Sequence, residues 1–123
     1  MGLDMYAYTT RTIVTQEVGF EIEESQCELL HQWRKHPNLH GIMKVLYQRK
    51  GGKDPDFNCS NVALNLNDFR ILEEFILQDA LPNIGGFFFG ASDGSEKSDD
   101  LEFIGNARSA IHTGLFVFYN AWW

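Results

Sequence analysis

The stretch LFVFYNAW, Leu115–Trp122, decides the fold. Asn120 is its one polar side chain among aromatic and aliphatic ones, and its eight residues are a strand's length rather than a helix's. Such a run predicts a central strand covered on both faces, because an edge strand this apolar would template pairing with other chains. The rest of the chain must then supply neighbouring strands and helices to cover it.

Working outward, Gly2–Thr9 alternates Leu3, Met5 and Ala7 against Asp4, Tyr6 and Tyr8, the period of a strand. Glu17–Glu23 alternates Val18, Phe20 and Ile22 against glutamates, which predicts a strand with one wet face. Val62, Leu64 and Leu66 predict a short strand, and Gly86–Gly90 a buried one between glycines. Helices are expected in four places. Ser25 caps one that runs to about His36, where Pro37 stops it. Asn38 caps the next, whose stripe of Leu39, Ile42, Met43, Leu46 and Tyr47 ends at Gly51-Gly52. A third follows Asn67 and buries Phe69, Leu72 and Ile76, with Arg70 and Glu74 paired on its outer side. A last one runs from Ser98 to Gly114. The sum is a single domain over residues 1–123, of α+β class: about five largely antiparallel strands packed against about four helices, ending in a buried aromatic strand.

Composition narrows the function. No apolar run approaches the roughly 20 residues of a membrane helix, and the first residues show no secretory signal. Two cysteines, Cys27 and Cys59, are too few for a disulfide scaffold, so reduced thiols in a cytoplasm are expected. The net charge of −7 argues against a general nucleic-acid binder. Within that acidic chain, Trp33–Lys53 stands out. It holds six of the ten Lys and Arg residues and no Asp or Glu. An island of opposite field is a candidate contact surface.

Candidate chemistry gathers in the same block. Arg34, Lys35, His40, Lys44 and Gln48 would give a helix pair a polar face. Together with Trp33 and Asn58 this face suits an acidic macromolecule or a phosphorylated small molecule, helped by the helix N-terminus near Asn38. His36 and His40 have the spacing of a helical metal pair, but Pro37 breaks the helix between them and no CxxC accompanies them, so no metal and no cofactor are expected. Cys59 beside one of these histidines would be a nucleophile with His36 or His40 as base, although it matches no cysteine-hydrolase signature. Asp4, if inward, needs a partner such as Arg108 or a histidine. Asp93, Glu96, Asp99 and Asp100 lack the EF-hand pattern and suggest a solvated acidic loop.

The segments GLDMYAY, WRKHPNLHG, FNC, LPNIGGFFFG and YNAWW together resemble a family of small phage and bacterial proteins that begin Met-Gly-Leu-Asp-Met-Tyr, over essentially the full length. The resemblance implies a viral or mobile-element setting and carries no catalytic assignment. The kinase names some members bear find no G-x-x-x-x-G-K-[ST] loop here. Three functions follow as expectations: an accessory protein that binds through the basic block, a small Cys/His hydrolase or transferase, and a homo-oligomer built through the aromatic C-terminal strand.

Overall fold

The computed structural model describes residues 3–81 and 96–122. In chain order the elements are β1 (Asp4–Thr10), β2 (Cys27–Arg34), α1 (Pro37–Arg49), β3 (Val62–Leu64), α2 (Leu66–Leu77), α3 (Lys97–His112) and β4 (Phe116–Trp122). A short 3-10 turn, Glu24–Gln26, leads into β2. The strands form one antiparallel sheet in the order β2-β1-β4-β3, so the aromatic strand is internal, as expected. The fold is α+β.

Register explains which side is covered. Met5 lies opposite Trp33 and Ala121, Ala7 opposite His31 and Tyr119, and Val62 opposite Tyr119. These side chains share a face, and all but His31 form one core with Leu39, Ile42, Met43 and Leu46 of α1, Phe69, Leu72 and Ile76 of α2, and Phe103, Ile104 and Ala107 of α3. All three helices therefore cover the same side. On the other side the middle of β4 is sealed by aromatic packing: Phe118 lies against Tyr8 at 5.3 Å and edge-on against Phe20 at 5.5 Å. Phe116 and Trp122, at the strand's ends, keep partial exposure.

Two expectations are corrected. Ser25–His36 is not a helix; most of it is β2. The strand carries a bulge, with Ala7 opposite His31 but Tyr8 opposite Leu29, which leaves Leu30 as the extra residue. That insertion breaks the two-residue alternation, so Leu29, Leu30 and Trp33 imitate a helical stripe. Pairing with β1 overrides the local pattern. Glu17–Glu23 is not a strand either; among the described residues its backbone makes one bridge to the sheet, Val18 to Val62. The expected strand at Gly86–Gly90 lies outside the described residues.

The helix ends differ in detail. Pro37 opens α1 at its first turn, where its missing N–H costs nothing. Gly51, at φ +95°, stops it. Asn65, rather than Asn67, caps α2 in a reciprocal box with Asp68, and Leu66 is thereby the first helical residue. Arg70 bonds Asn67. Lys50 reaches from the end of α1 to the Ala63 carbonyl at 2.7 Å and Asp68 at 2.6 Å, fastening α1 to β3 and α2. Asp4 pairs loosely with Arg34 at 3.7 Å, while Arg108 forks onto Glu73. No described helix is long and apolar enough to cross a membrane.

Candidate functional site

The block that was notable for charge divides on folding into a buried part and an exposed part. Trp33 points inward from β2 and His36 sits at the N-cap of α1, each almost fully buried. Both meet Asp100 in the first turn of α3. Its carboxylate accepts the Trp33 indole N–H at 3.0 Å and shares a 2.8 Å hydrogen bond with His36 Nε2. Glu96 Oε2 lies 3.8 Å from His36 Nδ1, and the neighbouring Asp99 meets His31 Nε2 at 2.9 Å. His31 packs on Trp33 at 4.5 Å, and Trp33 edge-on against Phe103 at 4.6 Å. Carboxylates at the positive end of a helix are favourable in themselves, and here they also clamp α3 to β2. A small cleft of about 120 Å³ opens beside this cluster, lined by His36, Asn38, Asp79, Glu96, Lys97 and Asp100.

His40, one turn into α1, is buried differently. Its Nδ1 shares a 2.8 Å hydrogen bond with the Tyr119 hydroxyl, and its ring stacks on Phe57 at 5.1 Å. Burial, with the Lys44 charge second, lowers its pKa to about 4, so the imidazole is neutral near pH 7. Burial also pushes the Tyr119 phenol well above its usual value. His40 therefore belongs to the core and not to the polar stripe expected of it with Lys44 and Gln48. Trp33 likewise leaves the contact surface.

Phe57 reaches this position because its loop is knitted together. Asp54 accepts the backbone N–H of Asp56 and of Asn58, each at 3.1 Å, and the Ser60 hydroxyl at 3.3 Å. The backbone bonds from Asp56 and Asn58 hold its carboxyl below the usual range. Cys59 takes a left-handed conformation, φ +59°, and donates its N–H to the Ala121 carbonyl at 2.8 Å. Its exposed thiol donates to Asn58 Oδ1 at 3.6 Å. The structure thus unites His36 with Trp33 through Asp100, and Cys59 with Asn58. Among the described residues neither histidine hydrogen-bonds the thiol. No group of three metal-ligating side chains converges among the described residues.

The exposed part of the block is α1's outer side. The helix contains no Asp or Glu. Within the block, ion pairs involve Arg34 and Lys50; Lys35, Lys44, Arg49 and Lys53 have none among the described residues. At the end of α1 a cleft of about 350 Å³ brings Arg49 alongside Arg70, Ile71, Glu74, Phe75 and Gln78 of α2 and the turn after it.

Comparison with family models, with curated proteins and with solved structures finds no match for this chain. The residues missed from sequence are Glu96, Asp99 and Asp100. Their signal was present as acids in a helix's first turn, where the macrodipole favours them, but it also fits a solvated loop.

Proposed function

We propose that this chain works by binding, with the outer face of α1 as its contact surface and an acidic protein segment as its partner. The observation that carries this is the set of cations without an ion pair among the described residues, Lys44 and Arg49 with Lys53 beyond them, on a helix without a single carboxylate in a protein of net charge −7. Their field is local, since screening at physiological salt acts over roughly 8 Å. A long polyanion would also meet the protein's seventeen acidic residues, whereas a short acidic segment need not. The cleft between α1 and α2 adds Ile71 and the partly exposed Phe75 beside Arg49 and Arg70, which suits a segment with an apolar side chain among its acids. A cytoplasmic accessory protein in the phage or mobile-element setting implied by the resemblance is part of the same proposal.

The test is titration of a fluorescent glutamate–leucine peptide against the folded protein at rising salt. Affinity is expected to fall steeply with salt, and the double reversal Lys44→Glu with Arg49→Glu to weaken it roughly tenfold or more. Binding indifferent to both salt and charge reversal would sink this reading.

A further inference from the structure

A third cleft lies where β1 ends and β2 begins. Thr9 to Thr12, Ser25 to Glu28 and Leu115 line it, and its volume is about 480 Å³. That is far larger than the space beside His36 and falls within the roughly 300–1,000 Å³ typical of small-molecule sites.

Part of the wall is internally satisfied and so holds its shape. The Thr10 hydroxyl donates to the Gln26 carbonyl at 2.7 Å and accepts the Thr12 N–H at 3.1 Å, and the Thr12 hydroxyl donates to Gln26 Oε1 at 3.1 Å. Other groups are left over. Thr9 is only 7% exposed, yet its hydroxyl makes no hydrogen bond among the described residues. No fully buried side-chain polar atom among those residues lacks a partner, so this hydroxyl keeps some solvent access, and its residue lines the cleft. The Arg11 guanidinium, at the same wall, has neither an ion pair nor a hydrogen bond among the described residues. The Ser25 hydroxyl also makes no hydrogen bond among the described residues.

We infer that this cleft binds a small phosphorylated polyol, with Arg11 on the phosphate and the Thr9, Ser25 and Glu28 side chains on the hydroxyl groups. A guanidinium fork matches phosphate oxygens bidentately, and such charge-assisted bonds are the strong ones. Glu28 opposes a second anionic group but accepts hydroxyl donors, which selects a neutral polyol body over a polyphosphate. Leu115 offers an apolar patch to the C–H side of such a body. The volume leaves room for more than inorganic phosphate.

Glucose 6-phosphate is the probe, titrated at millimolar concentration into isotope-labelled protein while backbone amide shifts are followed, with glucose and inorganic phosphate as separate arms. Saturable shifts are expected at Thr9–Thr12 and Ser25–Glu28, weaker with phosphate and absent with glucose. Arg11→Gln, at an exposed position that leaves the fold intact, should weaken binding about tenfold or more, and Thr9→Val by a smaller factor. No shifts in these segments, or shifts that Arg11→Gln leaves unchanged, would overturn the assignment. Equal binding of inorganic phosphate would overturn the polyol. Shifts confined to Lys44–Arg49 would put the anion on the α1 face instead, refuting this cleft while leaving the peptide experiment to judge the other surface.

Discussion

His36 and His40 stand one helical turn apart, each 3% exposed, and the protein buries them by opposite means. His36 is given carboxylates: Asp100 at 2.8 Å and Glu96 at 3.8 Å. His40 is given the Tyr119 phenol and the stacked ring of Phe57, and its charge is suppressed instead. An ionisable ring can enter a core either beside hydrogen-bonding carboxylates or by surrendering its charge. The first route ties distant elements together, since Asp100 belongs to α3. The second leaves the ring as a polar filler between α1 and β4.

Three measurements test this contrast. Asp100→Ala should have the largest effect, because it strips the acceptor from both His36 and the Trp33 indole; the expected loss is about 3–5 kcal/mol in urea denaturation. A loss below about 1 kcal/mol would mean that the carboxylate does not secure His36 at all. The second measurement concerns pH. His40 has a folded pKa of about 4 against an ordinary 6.5, so on acidification the unfolded chain takes up the proton first. Stability contributed by this residue is complete above about pH 6.5 and is lost progressively towards pH 4, about 3 kcal/mol in all. Stability curves of wild type and His40→Gln should converge over that window, and parallel curves would place the titration elsewhere. The smallest effect is expected from Tyr119→Phe, which deletes one hydrogen bond while keeping the ring, for about 1–2 kcal/mol in thermal or urea unfolding.

Much of the fold was legible because its elements keep a clean period: the alternation of β1, the stripe of α1, the buried side of α2 and the aromatic run of β4. β2 was illegible for a local reason, since one inserted residue, Leu30, shifts the pattern out of phase. Glu17–Glu23 alternates like a strand but lacks a partner of matching length, β3 being three residues long. At the site, the cations were visible as composition. The contacts of His36 were not, because Trp33 and Asp100 lie far apart in the chain and no spacing rule connects them. The polar stripe failed at His40 because a histidine's pattern position does not say whether Tyr119 waits opposite it.

The seam at the middle of the sheet has a kinetic meaning. β1 and β4, its two internal strands, come from opposite ends of the described chain, and β1 also carries β2. Closing that seam joins segments separated by nearly the entire sequence, a high contact order for so small a protein, which favours slow folding. Until β4 has been synthesised, the β1–β2 hairpin has no inner neighbour and β3 has only its single bridge from Val62 to Val18. During synthesis, the four described strands can therefore assemble into the sheet only once β4 has emerged.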